Sequence, residues 1–264
     1  MLDIRDLRVT FHAGTPLENR VLQGLGLSIP QGQFVTVIGS NGAGKSTLLN
    51  AVSGDIPVDG GSIEIAGRDV TALSVWRRSE YVARVFQDPL AGTCEDFTIE
   101  ENMALAAHRG LRRGWGRAVR AEARQAFQAR LAVLGLGLEH RLGDRIGLLS
   151  GGQRQAVSLL MAAMQPSQIL LLDEHTAALD PRTARFVLEA TARVVAEHKL
   201  TTLMVTHSMR QALEVGERTV MLHRGAVVLD VCGAERASLT VPDLLQRFEQ
   251  VCGEALADDG LLLG

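Results

Sequence analysis

The first 38 residues carry apolar positions at near-alternate spacing. Leu2, Ile4, Leu7 and Val9 are set among polar residues, the period of a strand with one buried face. Val21 to Ile29 forms a second apolar stretch, closed by Pro30-Gln31-Gly32. Phe34 to Ile38 is then an unbroken β-rich run, of the kind buried on both faces of a sheet. After a glycine-rich turn, Ser46 to Ser53 predicts a helix, and Ser62 to Ile65 a return strand with Gly60-Gly61 as its turn.

From about Gln87 to Leu149 the pattern becomes helical. Thr98-Ile99-Glu100-Glu101 fits a capping box opening a helix toward His108, and the Ala-, Arg- and Gln-rich stretch Ala118 to Leu134 predicts another. After residue 150 strand and helix alternate again. Gly151 to Met164 reads as helix, Ile169 to Leu172 as buried strand, Phe186 to His198 as helix and Thr202 to Thr206 as buried strand. Such alternation argues for a largely parallel sheet. The expected fold is therefore an α/β core preceded by strands and interrupted by a helical insert. It forms one domain over 1–250, with the core at about 1–87 and 151–250, the insert at about 88–150 and a loose tail at 251–264.

Composition narrows this little. The 264 residues are 46% hydrophobic and 22% charged, within the globular range. The formal charge of −3 gives no overall attraction to nucleic acid. No apolar run reaches the ~18 residues of a membrane span, and the start lacks the pattern of a signal peptide. Cys94, Cys232 and Cys252 have no metal-binding spacing, so a reducing compartment is expected. Between Arg109 and Arg130 seven arginines face one acid, Glu122; a solvated helical face is the first reading, contact with anionic headgroups or an acidic partner the second. Only two lysines occur, Lys45 and Lys199, against 25 arginines. Codon bias explains most of that, yet a lysine that persists is one whose chemistry arginine does not copy.

One of them closes Gly39-Ser40-Asn41-Gly42-Ala43-Gly44-Lys45-Ser46, a phosphate-binding loop with a buried strand before it and a helix after it. Glycines let backbone N–H groups turn inward around phosphate oxygens, and the helix start adds positive charge. Lys45 would reach the β- and γ-phosphates and the Ser46 hydroxyl, beside Thr47, would ligate Mg²⁺. Ile169-Leu170-Leu171-Leu172-Asp173-Glu174 supplies two carboxylates at the C-terminal end of an interior strand. Asp173 can hold the Mg²⁺ shell, and Glu174 can orient or deprotonate an attacking water. Leu149-Ser150-Gly151-Gly152-Gln153 offers a second anion-binding helix end with a hydroxyl beside it. A chain already holding ATP in one loop has use for another such end only if it offers it to another molecule's ATP.

These motifs, in this order and over nearly the whole chain, resemble the nucleotide-binding subunit of ABC (ATP-binding cassette) transporters, a P-loop NTPase (RecA-like) core with an N-terminal antiparallel β subdomain and an inserted α-helical subdomain. Position by position, Gln87 resembles the family's Q-loop glutamine, which senses Mg²⁺ and γ-phosphate. Ala178-Leu179-Asp180 is similar to the D-loop, His207 to the switch histidine, and Phe11 to the aromatic that stacks on adenine, where the family usually has Tyr. His175 departs from the Pro common after the glutamate and marks a subgroup.

The resemblance implies a head-to-tail homodimer or pseudo-dimer of cassettes. Each ATP would lie between Lys45, Ser46, Gln87, Asp173 and Glu174 of one copy and Ser150, Gly151 and Gly152 of the other. It implies integral membrane permease subunits contacted through Asp88 to Thr98, a place on the cytoplasmic face of the inner membrane, and no nucleic-acid partner. The strings Asp173 to Pro181 and Phe86-Gln87-Asp88-Pro89 resemble a bacterial uptake subgroup served by periplasmic binding proteins for aromatic or branched-chain amino acids. The competing readings are an exporter or a lipid- or lipoprotein-extracting system and, outside transport, an ABC ATPase acting on nucleic acid or the ribosome.

Overall fold

The computed structural model describes residues 1–111, 119 and 121–252. In chain order the strands are β1 (Leu2–Phe11), β2 (Asn19–Ile29), β3 (Phe34–Gly39), β4 (Gly60–Ile65), β5 (Arg68–Asp69), β6 (Val82–Val85), β7 (Ile169–Asp173), β8 (Thr202–Val205), β9 (Arg218–His223) and β10 (Ala226–Cys232). They form two sheets. One is antiparallel, ordered β2-β1-β4-β5. The other is ordered β10-β9-β3-β8-β7-β6, parallel throughout except for the antiparallel β9–β10 pair.

The period-2 alternation of side chains divides the interior into layers. Ile169, Leu171, Leu203 and Val205 face one way, into a cluster with Leu2, Ile4, Ile63 and Ile65 of the antiparallel sheet and Leu48 and Leu49 of the helix Lys45–Ser53. Leu170, Leu172 and Met204 face the other way. There they meet Val85, the helices Ile99–Ala107, Ala121–Ala132 and Gly151–Ala162 through Met103, Leu131 and Leu159, and Val194 of the helix Pro181–His198. The interior strands are apolar on both faces because both faces are covered. A third cluster joins Ile38 and Met221 to Met209 of the helix Met209–Glu214 and to Leu244 and Phe248 of the helix Val241–Cys252.

Several expected boundaries move, each for a local reason. The glycine pair Gly60-Gly61 lies inside β4 rather than before it, opposite a bulge in β1 between Arg5 and Arg8. The helix expected from Phe186 starts at Pro181. Asp180 caps it by accepting from Thr183 N at 3.1 Å, and proline suits the first helical position. The helix expected over 118–134 is described as Ala121–Ala132. Part of that expectation, four arginines of the 109–130 segment (Arg112, Arg113, Arg117 and Arg120), and the tail from 253 onward fall outside the described residues. Within the segment, Arg109 is not a solvated side chain. It donates to the carbonyls of Ala162 (3.3 Å) and Gln165 (3.2 Å) at the end of the Gly151–Ala162 helix, and burial lowers its pKa. The capping box at Thr98 is present in both directions, Thr98 with Glu101.

Candidate functional site

Three neighbouring parallel strands end together. The register pairs Val37 of β3 and Asp173 of β7 with Val205 of β8. The backbone carries the alignment one residue further, with Glu174 N donating to Val205 O (3.0 Å) and Thr206 N to Val37 O (3.1 Å). Gly39, Asp173–Glu174 and Thr206–His207 therefore emerge at the C-terminal edge of the sheet, where open α/β sheets bind ligands.

The loop after β3 turns sharply into its helix. Gly39 sits at φ 152°, and a Cβ there would lie 2.2 Å from the Leu222 carbonyl oxygen, so only glycine fits. The helix Lys45–Ser53 has Gly44 at its N-cap with no side-chain cap and no acid in its first turn. Its partial positive charge is thus directed at the loop. Lys45 is buried, and its ammonium spans the loop, donating to the carbonyls of Gly39 (2.6 Å) and Ser40 (3.1 Å). A cavity of about 440 Å³ opens over these groups. It is lined by Asn41 to Thr47, by Phe11, Asn19 and Val21 from β1 and β2, and by Glu174 and His207. Phe11, at the end of β1, stands on its rim at 37% exposure.

Glu174 is 7% exposed and held at φ 44°, a left-handed conformation uncommon for a non-glycine residue and concentrated at functional sites. Its Oε1 lies 2.5 Å from His207 Nε2. An ionised carboxylate only accepts, so the imidazole carries its proton on Nε2. Behind the pair, Gln211 Oε1 accepts from both Thr176 Oγ1 and Thr206 Oγ1, each at 3.1 Å, and so ties the loop after β7 to the loop after β8. The next residue, His175, turns inward: fully enclosed, with Nε2 2.9 Å from Thr191 Oγ1, it is pushed by burial down to about 4. It is a neutral packing residue and takes no part in the cavity.

Asp173 is met from the other side by Arg84 of β6. The guanidinium Nη2 lies 2.6 Å from Asp173 Oδ2, while Nη1 reaches Asp55 Oδ2 (2.7 Å) and Asn50 Oδ1 (2.8 Å). A carboxylate with one oxygen engaged retains the other for a cation. The hard donors on offer, the Ser46 hydroxyl in the cavity wall and the Asp173 carboxylate, which stands behind that wall rather than lining it, suit Mg²⁺, which keeps several waters and takes one or two carboxylates together with phosphate oxygens.

Not every expected residue joins this group. Gln87 is exposed two residues beyond β6 and does not line the cavity. Nor do Ser150, Gly151, Gly152 and Gln153, which form a helix start of their own. There Ser150 Oγ accepts from Gln153 N (3.3 Å) while Ser150 N donates to Gln153 Oε1 (3.2 Å). Asp180 is a helix cap, and its hydrogen bonds with Thr183 hold its carboxyl below the usual range. The residues that sequence reasoning missed are Arg84 and Gln211. Arg84 carries a signal, a cation between apolar positions in the run Val82-Ala83-Arg84-Val85; Gln211, in an ordinary helical stretch, carries none.

A family model described as ABC transporter matches residues 22–177. Among curated proteins, a tyrosine transport ATP-binding protein of Clostridioides difficile is 43% identical over 249 residues, covering 94% of this chain and 99% of its own. An aliphatic sulfonates import ATP-binding protein of Agrobacterium fabrum is 34% identical, covering 80% and 73%. A phosphonates import ATP-binding protein of Rhodopseudomonas palustris is also 34% identical, covering 87% and 84%. Among solved structures, a dimeric bacterial ABC transporter cassette superimposes with a TM-score of 0.75 at 27% identity, covering 88% of this chain and 98% of that one. A post-hydrolysis dimer of an ATP-binding cassette bound to ADP and Pi gives 0.74 at 26% identity, with the same coverage.

Proposed function

We propose, from the premise that this chain belongs to the ABC transporter family and is an ATPase, that it drives the uptake of a small solute, an amino acid of the aromatic or branched-chain type. One observation carries the catalytic part of this reading: buried Glu174, paired with half-buried His207, closes the same cavity that the phosphate loop and Lys45 open. The amino-acid cargo is supported by the relative named for tyrosine transport.

In this reading the loop N–H groups from Ser40 to Ser46 receive the phosphates of ATP, and Lys45 exchanges the Gly39 and Ser40 carbonyls for β- and γ-phosphate oxygens. Ser46 and Asp173 would hold Mg²⁺, which would neutralise charge on the phosphates, and Gln87 would join them only by a movement of the loop after β6. Glu174 accepts a proton from water as the water oxygen bonds to the γ-phosphorus and the bond to the ADP oxygen breaks. His207, donating to Glu174, fixes the carboxylate and stands within reach of the γ-phosphate. Phe11 on the rim offers its ring to adenine. Ser150 to Gln153 and Asp180, outside the cavity, act on the ATP of a second copy, so that two cassettes enclose two nucleotides.

The division of labour follows the chain. The segments 1–87 and 151–250 carry the nucleotide, and the insert 88–150 meets the permease. Asp88, Pro89 and the run from Ala91 to Cys94 line a separate cavity of about 370 Å³ with Asn102, Leu105 and Arg109, which supports that surface as the contact. Among the described residues no helix is long and apolar enough to cross a membrane, in keeping with a peripheral subunit on the cytoplasmic face. A periplasmic binding protein would deliver the cargo to the permease.

The test is uptake of labelled amino acids in cells with and without the chain. Loss of aromatic or branched-chain uptake, restored by the wild type and not by Glu174→Gln, is expected. Intact amino-acid uptake with impaired sulfonate or phosphonate use would overturn the cargo. Loss of a surface lipoprotein or lipid instead would overturn import.

A further inference from the structure

The guanidinium of Arg84 joins three parts of the fold at one point. Beyond Asp173, Asp55 and Asn50, its Nη1 lies 3.4 Å from Ser53 Oγ, and its plane rests over Phe86, with Cζ 4.8 Å from the ring centroid. The side chain is 11% exposed and that of Asp173 is 14%. Asn50 and Ser53 belong to the end of the helix that begins at Lys45, and Asp55 follows its C-cap, Gly54. Arg84 therefore fixes the Asp173 carboxylate relative to the helix whose other end cradles phosphate. The planar guanidinium places Nη2 on Asp173 and Nη1 on Asp55 and Asn50 at once, a fixed two-sided reach that a lysine ammonium, a point charge, does not copy. Phe86 lies beside Gln87, so the same clamp also braces the base of the segment leading to Asp88.

We propose that Arg84 is the positioning residue of the metal site: by holding Oδ2 of Asp173 it presents Oδ1 to the nucleotide-bound Mg²⁺, and it sets the affinity of that ion without touching it. The proposal rests on the reading of Asp173 as the metal carboxylate. Outer partners that orient ligating carboxylates are typically worth about 10–100-fold in metal affinity, and a loss of that size is expected here. The opposing possibility is that Arg84 competes with the cation for Asp173, in which case its removal would tighten metal binding.

The two are separated by Mn²⁺ titration of the full chain in the presence of ATP, read by electron paramagnetic resonance, alongside fluorescent ATP binding in EDTA. Asp173→Asn, Arg84→Gln and Arg84→Lys are compared with the wild type, and thermal unfolding establishes that each is folded. Asp173→Asn and Arg84→Gln should both weaken Mn²⁺ by about 10-fold or more, with ATP binding in EDTA unchanged and Arg84→Lys intermediate. If Asp173→Asn weakens Mn²⁺ and Arg84→Gln leaves it unchanged or tightens it, the positioning role is wrong. If Asp173→Asn itself leaves Mn²⁺ unchanged, the assignment of the metal carboxylate is wrong and the proposal falls with it. Should Arg84→Gln fail to fold, Arg84→Lys decides alone: wild-type Mn²⁺ affinity in that variant would overturn the need for the planar fork.

Discussion

A Cβ placed on Gly152 would lie 1.9 Å from Cγ2 of Thr183. The second residue of one helix and the third of another are thus in direct contact. Their caps, Ser150 and Asp180, stand at the two helix starts assigned to the partner's nucleotide. The contact locks one start against the other. Gly152→Ala must push the two apart, and overpacking of this kind costs about 1–3 kcal/mol. Urea denaturation should show a lower midpoint, and ATPase activity should fall further than stability accounts for, because Ser150 moves with the backbone. An unchanged midpoint would mean that the helices separate freely.

The short Glu174–His207 contact makes a separate prediction. Glu174→Gln keeps the size of the side chain and removes its basicity. General-base assistance is worth about 10²–10⁴ in rate, so turnover should drop by that order with ATP affinity little altered. Steady-state phosphate release and equilibrium nucleotide binding, measured on the same preparation, separate the two effects. Lys45→Ala should show the converse, a loss of nucleotide binding itself.

Arg78 bears on stability rather than chemistry. It is 2% exposed and donates to four backbone carbonyls: Leu73 (3.1 Å), Ala51 (2.5 Å), Val52 (3.1 Å) and Thr71 (2.7 Å). Two of these lie in the last turn of the Lys45–Ser53 helix, whose final carbonyls lack helical partners. Arg78→Met removes all four donors at once. Each buried acceptor left unsatisfied costs about 1–3 kcal/mol, so a fall in melting temperature of many degrees is expected in calorimetry.

His175 predicts a pH dependence of stability. Its folded pKa is about 4, against 6.5 for the free side chain, because burial disfavours the charged ring. The unfolded chain therefore takes up a proton at a pH where the native chain does not. The contribution of the neutral histidine is complete above pH 6.5 and is lost as pH falls from there toward 4. A difference of this size is worth on the order of 3 kcal/mol. His175→Leu should remove that part of the acid-side slope in denaturation measured from pH 7.5 to 4.5. Identical slopes in the two proteins would show that the ring is protonated in place.

The sequence carries most of what positions the site. The Gly39 to Ser46 string and the apolar run ending at Asp173 and Glu174 lie where their spacing puts them, because a strand–loop–helix unit is fixed by local residues alone. Other features depend on contacts far apart in the chain. Nothing near Arg84 announces Asp173, 89 residues away, or Asp55. No local pattern reveals that Gln211 joins Thr176 to Thr206. Beyond Thr206, the helix Val241–Cys252 carries a clear helical period at Val241, Leu244, Leu245 and Phe248, but its place beside Met221 and under Ile38 is a packing relation between distant segments that no local pattern gives. Gln87 shows the limit most plainly: its position after β6 is legible, but its reach toward the nucleotide depends on a loop that carries it away from the cavity.

In the proposed function each nucleotide is completed by a second copy of the chain through Ser150. The most direct test is the mass of the Glu174→Gln protein on size exclusion with light scattering, with and without ATP and Mg²⁺. The expected result is a monomer alone, a dimer with ATP and Mg²⁺, and no dimer when Ser150→Arg is added to the same chain, with ATP binding to the monomer retained. A Glu174→Gln protein that stays monomeric with ATP and Mg²⁺ bound, or a doubly substituted one that still dimerises, would contradict it.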